Sequence, residues 1–203
     1  MKIALIGATG NVGSKVLTEA LSRGHQVTGI ARHVEKLKGR SGVIARQVDL
    51  AEEDKLAEAL RGHDAVVLSV RYQNNDVRHV LAAAKAAGVK RILFVGGAAS
   101  LEASPGVRLL DTPGFPDVIK VEAAPAALAL DRIREEKTLE WTFLSPSIML
   151  VPGERTGKFR IGGDQVLKDE KGESRISQED LSVALLDELE KPRHIRRRFT
   201  VGY

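Results

Sequence analysis

The sequence predicts an α/β fold, a doubly wound parallel sheet flanked by helices. Two observations carry this. Short β-branched runs alternate with longer segments of helical period over the first three quarters of the chain, and right-handed crossovers between parallel strands then place helices on both faces of one sheet. The 203 residues are 43% apolar and 29% charged, the balance of one globular domain with a sizeable core.

The elements follow in order. Lys2 to Ile6 reads as a buried strand, and Asn11 to Arg23 as a helix with Val12, Val16, Leu17, Ala20 and Leu21 on one face and Gly24 as its C-cap. Strands are expected at Gln26 to Ala31, Val43 to Val48 and Ala65 to Ser69, the last preceded by a helix that carries Leu56, Ala59 and Leu60 and stops at Gly62. A helix with Val77, Val80, Leu81 and Ala84 inward ends at Gly88 and leads to the strand Arg91 to Val95. A helix near Val118 to Glu136, which Pro125 should kink or delay, leads to the strand Trp141 to Ser145. The last quarter breaks the rhythm: a glycine-rich stretch from Pro152 to Asp164, a hairpin, a helix capped by Ser177 with Asp180 at capping-box spacing, and a final strand, Arg198 to Tyr203. No internal repeat or linker is visible, so residues 1–203 read as one domain.

Composition removes several kinds of chemistry. Cysteine is absent, which excludes disulfides, thiolate nucleophiles and cysteine-based metal sites built from this chain. The five histidines, His25, His33, His63, His79 and His194, show no metal-ligand spacing, and no metal site is expected. Glu52, Glu53 and Asp54 fall in the first turn of a helix, where they complement its dipole. No apolar run approaches the ~18 residues of a membrane helix, and Ile3 to Ile6 is too short for a signal-peptide core, so a cytoplasmic protein without a membrane partner is expected.

The net charge of +4 is local. Lys191, Arg193, Arg196, Arg197 and Arg198 cluster near the C-terminus, and without them 26 basic residues face 27 acidic ones, a balance of −1. With aromatic residues at only 4%, platforms for stacking bases are few, and nucleic acid is not an expected partner.

The sharpest signal is Gly7-Ala-Thr-Gly10-Asn-Val-Gly13, because it occupies the turn between the first strand and the first helix. Gly7 allows the tight turn, Gly10 a close approach of backbone to pyrophosphate, and Gly13 close packing of helix on strand. With Thr9, Asn11 and Val12 between them, these glycines point to dinucleotide binding in a Rossmann-type sheet, the anion resting on the helix N-terminus. The second strand decides which dinucleotide. An NAD site places a carboxylate about 20 residues past the glycines for the ribose 2′-hydroxyl, whereas an NADP site needs a cation for the 2′-phosphate. Gly24 to His33 contains no acid, and Arg32 stands where the carboxylate would be, so NADP(H) is expected over NAD(H).

These motifs, together with Asp49-Leu50, Gly96-Gly97-Ala98-Ala99-Ser100, Pro152 to Lys158 followed by Gly162-Gly163-Asp164, and the ending Arg198 to Tyr203, resemble the atypical short-chain dehydrogenase/reductases. Within them the chain is most similar to the NADH-flavin reductase group, near the NmrA-like proteins and biliverdin reductase B. The resemblance implies that Asp49 and Leu50 flank the adenine, that Ser69 and Val70 line the cofactor, and that Pro146, Ser147 and Ile148 lie near the nicotinamide. From the glycine-rich segment itself, residues 146–180 are expected to form a flap region on the substrate side.

One departure from the wider superfamily narrows the chemistry. Typical members pair a serine with a Tyr-x-x-x-Lys motif whose tyrosine exchanges a proton with the substrate. Only Ser100 and Lys120 remain as catalytic candidates, because Tyr72 and Tyr203 are the only tyrosines and neither has a lysine four residues later. Hydride transfer to a flavin, quinone or bilin gives a delocalised anion that needs mainly positioning, whereas reducing a ketone or epimerising a sugar needs an acid or base. The expected function is therefore hydride transfer from NADPH to a small conjugated acceptor, with FMN or FAD as possible substrates, in a monomer or homodimer. The alternatives are a non-catalytic NADP(H) sensor of the NmrA type and a sugar-nucleotide epimerase or dehydratase. Arg155, Lys158 and Arg160, on the glycine-rich segment, either meet an anionic acceptor from a flap or form the solvated face of a hairpin.

Overall fold

The computed structural model describes residues 1–203 and is built around an eight-stranded sheet. Its elements are β1 (Lys2–Ile6), α1 (Asn11–Ser22), β2 (Gln26–Ala31), β3 (Val43–Gln47), α2 (Glu53–Leu60), β4 (Ala65–Leu68), α3 (Val77–Ala87) and β5 (Arg91–Val95). A small hairpin of β6 (Glu102–Ser104) and β7 (Val107–Arg108) precedes α4 (Asp117–Arg134) and β8 (Glu140–Ser145), followed by β9 (Met149–Val151), β10 (Arg160–Gly162), β11 (Arg175–Ser177), α5 (Gln178–Glu190) and β12 (Arg197–Gly202). The sheet order is β10-β12-β8-β5-β4-β1-β2-β3, parallel throughout except for β10, which runs antiparallel to β12. The chain winds outward from β1 through β2 to β3, then returns to β4 on the other side of β1. The doubly wound fold read from the sequence is the fold observed.

The central strands are continuous apolar runs because both of their faces are buried. In β1, Ile3 and Leu5 join the core beneath α1 and α5, while Ala4 and Ile6 join the core beneath α2, α3 and α4. In β4, Ala65 and Val67 face the first core and Val66 and Leu68 the second, the period of two expected of a pleated strand.

Two local expectations are corrected. The glycine-rich stretch is not a hairpin: β9 pairs in parallel with β11 and β10 pairs with β12, so each segment finds a distant partner rather than its neighbour. Pro125 does not delay its helix: α4 starts one residue before Val118 and runs on to Arg134. Proline cannot donate to the carbonyl four residues earlier, that of Val121. Gln73 Nε2 donates to that oxygen instead, at 2.9 Å.

Candidate cofactor site

The β1–α1 turn is built by its glycines. Gly7 has a φ of +85°, and a Cβ there would lie 2.0 Å from the Ser69 carbonyl oxygen. A Cβ on Gly13 would lie 2.1 Å from the Gly7 carbonyl oxygen, so both positions are closed to side chains by the protein's own backbone. Gly10 differs. Its φ is −74° and a Cβ would meet only the Gly7 oxygen at 3.3 Å, so what Gly10 keeps open is the approach from the cleft. No side chain caps α1, which leaves the N–H groups of its first turn free to receive an anion. A pyrophosphate fits this cradle.

The cleft of about 1260 Å³ runs across the carboxyl ends of the strands, over the point between β1 and β4 where the winding reverses. Gly7, Thr9, Gly10, Asn11, Val12 and Gly13 of the loop line it, as do Arg32, Leu50, Ser69, Val70 and Pro146. Arg32 lies just past the end of β2, exposed, and it takes part in none of the chain's ion pairs, so its guanidinium is free for a ligand. Asp49 lines the adjoining depression that shares Leu50, and its Oδ1 accepts from the Ala51 N–H at 3.0 Å. Ser147 turns away from the cleft: it is 1% exposed and its hydroxyl donates to the Val201 carbonyl at 2.8 Å.

Neither catalytic candidate reaches the cleft. Ser100 is buried, and its Oγ lies 3.4 Å from Nη1 of Arg198, itself bound to Asp164. Lys120 pairs with Asp117 at 3.0 Å on the outer side of α4. Tyr72 does line the cleft, but its hydroxyl donates to the Val95 carbonyl at 2.7 Å and burial pushes its pKa up, so it holds its proton. The other titratable groups on the lining are Arg32, His33, and the pair Arg71 and Glu122, 3.3 Å apart at the mouth. The remaining wall on that side is mostly apolar and comes from the segment leading into α4 and the first turn of that helix, with Pro113, Phe115, Pro116, Val118 and Ile119.

Two of the three cations on the glycine-rich segment, Arg155 and Arg160, are engaged by the protein itself. The segment after β9 is a strap tied along α1 and α5: the Gly153 N–H donates to Glu179, Thr156 and the Gly157 N–H donate to Asp180, and Ser177 donates to the Glu154 carbonyl. Arg155 spends its guanidinium on Glu19 of α1, at 2.7 and 2.8 Å, and Arg160 donates to the carbonyls of Lys168 and Tyr203. The reason is electrostatic. Glu19 is 5% exposed, and a buried carboxylate must be paired; Arg155 and Arg23 together hold its pKa below the usual range. The lining residues Arg71, Gln73, Glu122 and Gln178 carried no motif in the sequence, and only the folded chain brings them to one cleft.

A ligand with a pyrophosphate at the α1 N-terminus and an arm toward each half of the sheet is what such a cleft accommodates, which makes the molecule a Rossmann-type dinucleotide-binding protein. The chain belongs to the NAD(P)H-binding family, which it matches over residues 7–192. It is 38% identical over 211 residues to the uncharacterized protein YwnB of Bacillus subtilis (strain 168), covering 99% of this chain and 98% of that protein. A protein of Bacteroides thetaiotaomicron provisionally named an epimerase superposes with a TM-score of 0.93 at 41% identity, covering 100% of this chain and 96% of the other. One from Streptococcus pneumoniae provisionally named an NADH-flavin reductase gives 0.86 at 34%, covering 100% and 99%. The likeness to the NADH-flavin reductase group read from the sequence therefore extends over the whole chain.

Proposed function

We propose that the protein is an NADPH-dependent reductase that passes hydride to a planar conjugated acceptor, a flavin or quinone. The observation that carries this reading is the composition of the cleft's acceptor side. It offers an apolar wall for a flat ring, but its tyrosine is locked on a carbonyl and its serine and lysine candidates face elsewhere. Epimerisation, the activity in the Bacteroides protein's name, needs a proton-transfer group, and the one carboxylate on this lining, Glu122, is held by Arg71 at the mouth. Reduction of FMN needs none from the protein: the hydride reaches the flavin ring, a proton comes from solvent, and NADP⁺ leaves. The free Arg32 guanidinium beside His33 supports NADP(H) over NAD(H). On this reading the protein's partner is a small molecule. No helix is long and apolar enough to cross a membrane.

The test follows NADPH oxidation with FMN, FAD and a quinone dye, beside a titration of NADP⁺ binding. Turnover is expected with at least one acceptor, and Ser100→Ala and Lys120→Ala should each retain most of kcat, since a true general acid contributes about 10²- to 10⁴-fold. A hundred-fold fall in kcat for Lys120→Ala with NADPH affinity intact would restore the acid–base reading. Tight NADP⁺ binding without turnover on any acceptor would favour the sensor instead.

A further inference from the structure

Gln178, the first residue of α5, is 7% exposed and lines the cleft, yet no group of the protein bonds its side-chain amide. Its neighbours are all engaged. Ser177 donates to the Glu154 carbonyl and accepts from the Asp180 N–H, Glu179 pairs with Lys15 at 2.7 Å, and Asp180 binds Thr156, the Gly157 N–H and the Tyr203 hydroxyl. The side chain is mostly covered, but its amide atoms stay open to the cleft, and with the neighbouring groups engaged within the protein they are free to bond a ligand there.

Which part of the ligand arrives there follows from the fold, granted the dinucleotide reading above. The glycine turn seats the pyrophosphate and Arg32, past β2, marks the adenosine arm, so the nicotinamide arm extends the other way, toward the ends of β4, β5 and β8. Gln178 lies on that arm. Ile176, two residues before it, is paired with Leu150 of β9, and Val12 at the start of α1 and Leu150 pack against the same core as α5. The other cleft residues at this position, Val12, Pro146, Ile148 and Leu150, have no hydrogen-bonding side chain.

We infer that Gln178 binds the carboxamide of the nicotinamide ring through a reciprocal amide–amide pair. Nε2 donates to the carboxamide oxygen, and Oε1 accepts from the carboxamide nitrogen. A primary amide is the side chain that offers both roles at one end, whereas carboxylates only accept and cations only donate. The pair fixes the rotation of the ring about its glycosidic bond, and so which face of its C4 is turned to the acceptor.

The test is calorimetric binding of NADP⁺, of its 3-acetylpyridine analogue, which keeps the acceptor oxygen but lacks the amide donor, and of 2′-phospho-ADP-ribose, which lacks the ring. In Gln178→Leu, NADP⁺ should weaken by about ten-fold or more while 2′-phospho-ADP-ribose stays within about two-fold. The wild-type preference for NADP⁺ over the acetylpyridine analogue should disappear. Gln178→Glu, which keeps the shape and loses the donor, should show the same selective loss if the leucine variant folds poorly. Equal weakening of NADP⁺ and 2′-phospho-ADP-ribose, or no weakening of either, overturns the assignment while leaving the cofactor reading intact. A wild-type protein that binds none of the three overturns both.

Discussion

The three glycines of the first turn are not equivalent, and the difference can be measured. Gly7 and Gly13 are required by the protein's own backbone, which stands about where their side chains would be. Gly10 has ordinary backbone angles and little around it but the cleft. Gly13→Ala is therefore expected to destabilise the fold by about 1–3 kcal/mol through overpacking. Gly10→Ala should unfold near the wild-type temperature yet bind NADPH at least about ten-fold more weakly, because its methyl enters the space of the pyrophosphate. Thermal unfolding and calorimetric titration of the two variants separate these outcomes. A Gly10 variant that binds NADPH normally would remove the pyrophosphate from this turn.

At the scale of elements, the molecule is tied together by buried carboxylates that each join several segments. Glu19 joins α1 to the strap through Arg155. Glu136, just past the end of α4, receives Lys85 of α3 at 2.5 Å, the Thr138 N–H and hydroxyl at 2.6 Å each and the Leu139 N–H at 3.1 Å, and so sets the turn into β8. Burial alone would raise its pKa, but these partners bind the charged form and hold it at about 2 against an ordinary 4.5. A carboxyl whose folded pKa lies below its unfolded one stabilises the fold fully above the unfolded value, and loses that contribution as the pH falls toward the folded one. Glu136→Gln should accordingly cost about 1–3 kcal/mol at pH 7, and the gap from wild type should narrow from pH 4.5 downward. Urea unfolding between pH 7 and about 3.5 measures it. A gap that stays constant over that range would mean that the charge of Glu136 does not matter.

For the whole molecule, a ligand that binds only the folded chain raises its stability by mass action. At a hundred-fold excess over Kd this is about 2.7 kcal/mol, which in a chain of this size corresponds to a rise in Tm of about 5–10 °C. The rise should be larger with NADP⁺ than with NAD⁺ at equal concentration. Arg32→Ala should weaken NADP⁺ by about ten- to a hundred-fold and NAD⁺ little, leaving the two dinucleotides with similar shifts. Equal shifts in the wild-type protein would refute the role of Arg32 in choosing the cofactor.

The sheet and its helices were legible in the sequence because their signals are local. An apolar run such as Ala65 to Leu68 is a strand buried on both faces, a turn such as Gly7 to Gly13 needs backbone angles and clearances that few other residues allow, and Ser177 with Asp180 caps a helix wherever it lies. The same locality made the cradle and the free cation at Arg32 readable, since both follow directly from their strands. Which side chains then met in the cleft was decided only by the tertiary structure. Ser100 faces a buried arginine 98 positions away, and Arg155 is held by a glutamate 136 positions away. Gln73 supplies the donor that Pro125 denies the Val121 carbonyl, and Gln178 follows the strand β11, which pairs with β9 beside the cleft. A sequence shows what each side chain is able to bond; burial, which forces a carboxylate such as Glu19 to claim the nearest cation, chooses the partner, and burial exists only once the chain has folded.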